Sequence, residues 1–300
     1  MPGRPGPSGW RTPPRAAAIH DGITTILDRS HTPFLHPAFS LAAEVADLAA
    51  LAAAEGVPGL QRWLDTAPAP VCNAAGVPLR LTDARPTSAV AFERAVFDEA
   101  VLSVRTDTWH DRLNLLAWRL FPRTKARLNA RHAAEEVGIG AGNRRTRLRD
   151  ALTLFDEDGA VVAVARPELE ALVRNFEWKA LFVARRQAVE DSLLCVPVGH
   201  ALMEKLRSPH LGLTAKVLFV PVEAGFPSVP AAGRLARLDA AVAAAVAVLR
   251  DPRDLAPLPV LGLPRWWSGG QGGDFYDNAA YFRSGRRGAG PGERRSAGES

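Results

Sequence analysis

Sulfur, tyrosine and lysine are scarce in this chain of 300 residues, which has 2 cysteines, 2 methionines, 2 tyrosines and only four lysines against 33 arginines. Cys72 and Cys195 stand alone, with no CxxC or other zinc-binding spacing, and a chain of this size needs no disulfide framework to build a core. A reducing cytoplasm is the expected compartment. Long apolar runs are also missing. Leu41–Ala54 is interrupted by Glu44 and Asp47, and Ala240–Leu249 is short, so both fall below the roughly 20 residues that span a bilayer. The basic start MPGRPGPSGWRTPPR has no apolar stretch behind it, which excludes a secretory signal within these residues. No Walker A loop, GxSxG elbow, HExxH pair or Rossmann glycine pattern occurs. The expectation is a soluble protein without a membrane partner, and no cofactor is named by any motif.

What is present is an ample core, 47% hydrophobic residues, and a net charge of +5 that is unevenly placed. Arg112 to Arg149 carries ten basic residues against Glu135 and Glu136. Such a segment attracts phosphates, anionic small molecules or nucleic acid, or it simply decorates solvated helix faces. The preference for arginine and alanine points to a GC-rich bacterial genome.

Residues 1–30 and 284–300 are rich in Gly, Pro, Arg and Ser and read as weakly ordered or disordered tails around a single domain over residues 31–283. Apolar spacing predicts helices over Ser40–Glu55, Leu60–Leu64, Ala91–Ala100, Pro167–Phe176, Trp178–Val189, Val198–Leu206 and Leu235–Leu249. Val77–Thr82 and Val101–Arg105 read as extended. DALTLFD and AVVAV, joined through Asp158-Gly159, predict a β-hairpin over about 150–164, and Leu213–Val222 a further strand. Beyond Pro252 the chain turns to proline, glycine and aromatics, as an extended wrap over a core does. Helices dominate with no βαβ rhythm, so the class is α+β.

The segment of greatest chemical interest is WHDRLNLLAWRLFPRTKARLNARH, Trp109–His132. Thr108 is the expected N-cap, with Asp111 serving the first turn. At about 100° per residue, Arg112 and Arg119 share a face expected to be wet, while His110 and Asn114 lie opposite it and point inward. Pro122 breaks this helix and starts the next. There Lys125, Asn129 and His132 fall at i, i+4 and i+7 on one face, and Arg123, Arg127 and Arg131 form a separate, solvated stripe. A helical hairpin brings the two polar sets together. Inward polar groups without partners cost about 1–3 kcal/mol each, so they bond to one another, to water or to a ligand.

Three further features deserve weighing. His200 and Glu204 in GHALMEKL are four apart on a helix, a spacing that orients an imidazole or holds a metal. No third ligand is in register, so no metal is assigned. Lys216 in GLTAKVLFVPV projects from an apolar strand face, either to snorkel or to pair with an acid. Asp156-Glu157-Asp158-Gly159 reads as a turn, since it lacks the remaining ligands of a calcium loop.

The blocks WHDxxNxxxWxxFPxxKxxLNxxH, DALTLFDEDG, GHALMEKLxSPxxGLTAK and PLPVLGLPRWW, in this order, resemble a bacterial family known as domain of unknown function 3025. The resemblance covers roughly Pro33 to Arg283. It implies one intact domain, and it puts Trp109, His110, Asp111, Asn114, Lys125, Asn129, His132, His200, Glu204, Lys205, Lys216, Trp266 and Trp267 at motif positions. It carries no activity with it. The residues themselves suggest a hydrolase or transferase acting on an anionic or phosphorylated substrate. His110, His132, His200 and Glu204 are then the catalytic candidates, and Asn114, Lys125, Asn129 and Lys216 the substrate-binding ones. A nucleic-acid module using the basic 112–149 segment, or a scaffold with purely structural polar residues, are the alternatives.

Overall fold

The computed structural model describes residues 34–138 and 146–285. The tail expected at 1–30, all but Ser284 and Gly285 of the tail expected at 284–300, and Asn143–Arg145 of the basic stretch lie outside them. Two short helices, α1 (Ser40–Ala43) and α2 (Leu48–Ala53), stand in place of one helix over Ser40–Glu55, and α3 (Gly56–Asp65) contains the helix expected at Leu60–Leu64. The acid that interrupts the apolar run explains the break. Asp47 is the N-cap of α2, its carboxylate accepting the Ala50 amide at 2.8 Å.

Next come β1 (Arg80–Thr82), α4 (Ala89–Glu99) and β2 (Val101–Ser103). The two strands pair in parallel across α4, a small βαβ unit whose three-residue strands leave no periodic signature. The hairpin expected at Pro122 follows, as α5 (Trp109–Leu120) and α6 (Pro122–Gly138). After α7 (Arg147–Asp158) come β3 (Gly159–Val164), α8 (Pro167–Arg174), a π-helical turn over Ala180–Ala184, α9 (Arg186–Ser192) and β4 (Leu193–Pro197). The chain then forms α10 (His200–Arg207), β5 (Thr214–Pro221), α11 (Ala231–Val248) and β6 (Ala256–Pro259). The second sheet has order β4-β3-β5-β6, with β3 and β5 parallel and both outer strands antiparallel to them. Every residue of β3 is buried, as a central strand covered on both faces requires. The protein is α+β and predominantly helical.

The hairpin expected at 150–164 is half right. AVVAV is a strand, but DALTLFD is the body of α7. Leu148, Ala151, Leu152 and Phe155 recur at i, i+3, i+4 and i+7, and this period wins over the shorter alternation. Thr146 caps the helix, its hydroxyl accepting the Arg149 amide. Leu193–Pro197, for which no element was expected, pairs with β3, and the helix expected over Val198–Leu206 begins at His200. The expected C-terminal wrap is present, with Tyr276, Tyr281 and Phe282 buried, Tyr276 and Phe282 packed against Phe182 and Tyr281 against Phe282. Among the described residues, no helix is long and apolar enough to cross a membrane.

Arg123 and Arg127 are exposed, as expected, but Arg112, Arg119 and Arg131 are not simply turned to water. Arg112 is buried and donates to the carbonyls of Leu51 and Ala54 at the end of α2, and to that of Thr106. Arg119 donates to Trp63 and Thr66 at the end of α3, and Arg131 to Val246 and Leu249 at the end of α11. Helices leave their last carbonyls unpaired at the negative end of the dipole. Three guanidiniums close three such ends. The start of α6 is closed from α11, where Asp239 accepts the amides of Arg123 and Thr124 at 3.0 and 2.9 Å. Arg112→Met keeps the volume but strands three acceptors. It is expected to lower unfolding free energy by roughly 3 kcal/mol, read by urea denaturation, whereas Arg127→Met on the exposed face changes it by less than about 0.5 kcal/mol.

Candidate functional site

A cavity of about 510 Å³ opens where α5, α6, α7 and α10 meet the βαβ unit. The βαβ unit contributes Arg85 after β1, Ser88 at the start of α4 and Arg105 after β2. Parallel strands direct their carboxyl ends, and the following helix its N-terminus, toward such a crevice. α5 supplies His110 and Asn114, α6 His132, and α10 its first residue, His200.

α7 forms one wall through Arg149, Thr153, Asp156 and Glu157. These fall at i, i+4, i+7 and i+8, one face of the helix. Arg149 and Glu157 are therefore separated by about 12 Å along its axis, at about 1.5 Å per residue. The strand reading of DALTLFD and the turn reading of DEDG hid Asp156 and Glu157 as site residues. The signal that reveals them is the polar i, i+4, i+7, i+8 stripe opposite the apolar one.

The reactive groups converge at the Glu157 end. His110 and His200 touch edge to face, their ring centroids 4.4 Å apart. His110 Nδ1 lies 3.1 Å from Glu204 Oε2, so the i, i+4 partner of His200 on α10 orients the histidine of α5 rather than its own neighbour. His200 Nε2 is 3.5 Å from Glu157 Oε2, and its Nδ1 is 3.9 Å from Asp156 Oδ2 with no hydrogen-bond partner. One ligand atom from each of His110, Glu157 and His200 lies within 4.8 Å of the others, the geometry of a group able to hold a metal ion.

Gly199 makes this approach possible. A side-chain carbon there would meet the Glu157 carbonyl oxygen at 2.3 Å, and its amide donates to Gly159 at 2.8 Å. α10 thus begins directly against the end of α7.

Behind the wall, Asp156 forms a buried ion pair. Lys125 Nζ donates to Asp156 Oδ1 at 2.5 Å, and the lysine side chain is only 4% exposed. Lys125 therefore neutralises Asp156, not a substrate. Asn129 likewise donates to the Glu93 carboxylate at 2.7 Å and to its carbonyl, below the cavity lining. Lys216 lies on β5 opposite Gly159 and Pro257, within the sheet and outside the cavity lining. Asp111 accepts the Thr108-capped turn's geometry, but its carboxylate binds Arg105, through the backbone amide at 2.6 Å and the guanidinium at 2.7 Å.

Charge states follow from these contacts. Hydrogen bonding to Glu204 raises the pKa of His110, and the same bond lowers that of Glu204. Burial lowers His132 and pushes His200 down to about 4, so His200 is a neutral imidazole at pH 7. Burial and the neighbouring Asp156 raise Glu157. Burial opposes ionisation of Asp156 too, but the attraction of Lys125 outweighs it and holds the carboxyl at about 2.

Fold and site thus define an α+β protein with a polar cavity walled by helix starts. Residues 80–286 match the family model described as "Protein of unknown function (DUF3025)", and the chain belongs to that family. No curated protein and no solved structure shows significant similarity to it.

Two substitutions test this construction. Gly199→Ala is expected to cost about 1–3 kcal/mol by overpacking and to separate His200 from Glu157, seen as a changed His200 ring resonance in NMR. Lys125→Met alone should destabilise by about 3–5 kcal/mol. Adding Asp156→Asn should recover a large part of that loss, and simple additivity in the double-mutant cycle would contradict a buried pair.

Proposed function

We propose that this protein is an enzyme, a hydrolase or transferase, whose substrate is an anionic small molecule of the phosphorylated class. The observation that carries the reading is the convergence of His110, His200 and Glu157 at one end of a cavity that Arg149 walls about 12 Å away along α7. Arg85 and the N-terminus of α4 add positive potential beside that space, and α5 and α10 also start there. The substrate's charged group lies against the arginines and its reacting group against the histidines. Asn114 and His132, both on the lining, orient it between them.

A scaffold would satisfy its buried polar groups internally. Here Asn114 Oδ1 and His200 Nδ1 are buried without hydrogen-bond partners beside the cavity, which favours a ligand. The nucleic-acid reading is less supported, since Arg112, Arg119, Lys125 and Arg131 are spent on internal carbonyls and Asp156. Unpaired Cys72 and Cys195, the latter buried with its thiol pushed up to about 12 by burial, suit a cytoplasmic location.

Calorimetric titration with inorganic phosphate and pyrophosphate tests the binding half. Arg85→Ala and Arg149→Ala are each expected to weaken binding about tenfold, while Lys216→Ala leaves it unchanged. Equal affinity in all four proteins would sink the reading. For turnover, His200→Ala should lower kcat on a responsive phosphate ester by at least about 100-fold.

A further inference from the structure

We infer that His110, Glu157 and His200 form a mononuclear site for a divalent transition ion of the zinc class, with Glu204 as the partner that orients His110. The inference deepens the proposed function by assigning the reactive end of the cavity to a metal.

Spacing is the first support. Ligand atoms about 2.0–2.2 Å from a tetrahedral zinc lie about 3.3–3.6 Å from one another. His200 Nε2 and Glu157 Oε2 are already 3.5 Å apart, too far for a good hydrogen bond and right for two ligands of one ion. The whole trio lies within 4.8 Å, so small side-chain rotations close the remaining distance.

The second support is the arrangement around His110. Its Nδ1 faces the Glu204 carboxylate at 3.1 Å, which leaves Nε2 to coordinate. A carboxylate behind a ligating imidazole is the usual outer partner at metal centres, where it fixes the ring's orientation and tautomer. This explains an otherwise puzzling crossing, in which α10 supplies His200 as one ligand and Glu204 to the ligand of another helix.

The third support is the state of His200 itself. Its side chain is 7% exposed, it lies against Glu157 and Asp156, and its Nδ1 has no hydrogen-bond partner. At 3.5 and 3.9 Å the buried imidazole makes no hydrogen bond to either carboxylate, whereas a cation beside it engages both the ring and Glu157.

The donor set agrees. Two imidazoles and one carboxylate favour zinc, cobalt, manganese or iron over magnesium or calcium, which prefer all-oxygen shells. Three protein ligands at a cavity wall leave a coordination position facing the space where the substrate lies.

The test uses the full-length chain stripped with a chelator and dialysed, with no anion present. Zn²⁺ is titrated by calorimetry and Co²⁺ by visible absorption. One ion per chain is expected, with the intense ligand-field bands of low-coordinate Co²⁺. Glu157→Gln, which keeps the shape of the side chain, and His200→Ala should each weaken Zn²⁺ binding at least about 100-fold. Glu204→Gln should weaken it about 10- to 100-fold without changing stoichiometry. Circular dichroism confirms that the variants fold, and Glu157→Gln carries the test if His200→Ala does not.

No binding by the wild-type chain, or Glu157→Gln binding as tightly as wild type, overturns the metal site. Phosphate titration of the stripped protein separates the two readings. Phosphate bound without zinc affinity removes the metal and keeps the anionic substrate, and the reverse removes the substrate class and keeps the metal.

Discussion

The buried pair of Lys125 and Asp156 is the interaction on which the site's geometry rests. It joins α6 to the end of α7, and Asp156 is followed directly by Glu157, which faces the cavity. An ion pair this enclosed is costly to desolvate, and a well-packed apolar pair would stabilise the fold at least as well. What the pair supplies is direction. Asp156 stays ionised, points one oxygen at Lys125 and the other toward His200, and so fixes the rotation of α7 about its axis. Gly199 then lets α10 begin against the same helix end, and the histidine that follows has one place to go.

The surrounding framework is held by arginine in a similar economy of charge. Arg112, Arg119 and Arg131 reach from the α5–α6 hairpin to the carboxyl ends of α2, α3 and α11. A guanidinium suits this task because its fork of donors can satisfy several carbonyls at once and stays charged when buried, which lysine does less well. Arg112, Arg119, Lys125 and Arg131 of the basic segment are therefore internal structure, while Arg123 and Arg127 are exposed. Among the described residues of that segment, Arg149 is the basic one that lines the cavity.

Much of the site was legible in the sequence. The break at Pro122, the cap at Thr108, and the shared inward face of His110 and Asn114 follow from helical geometry alone, as does the alignment of Lys125, Asn129 and His132. The pairing of His200 with Glu204 was also visible as a spacing, although the structure gives Glu204 to His110. Asp156 and Glu157 were not seen because a seven-residue stretch with both a two-residue and a 3.6-residue period was read by the shorter one. Arg112 was misplaced for a different reason. Helical geometry puts it opposite His110, and a lone arginine normally seeks water, but a helix packed on both sides has no wet face.

The sequence by itself determined the periodicities, caps and breaks, because these depend on contacts within a few residues of one another. It also determined that polar groups would face inward along Trp109–His132. Only the tertiary structure decided which of those groups meet. Lys125 and Asn129 became supports because carboxylates from α7 and α4 arrive beside them, while His110 and His200 became neighbours because two helix starts are packed end to side. Partners brought from 31 to 94 residues away are set by helix packing, and packing depends on shapes and charges that no single stretch of chain contains.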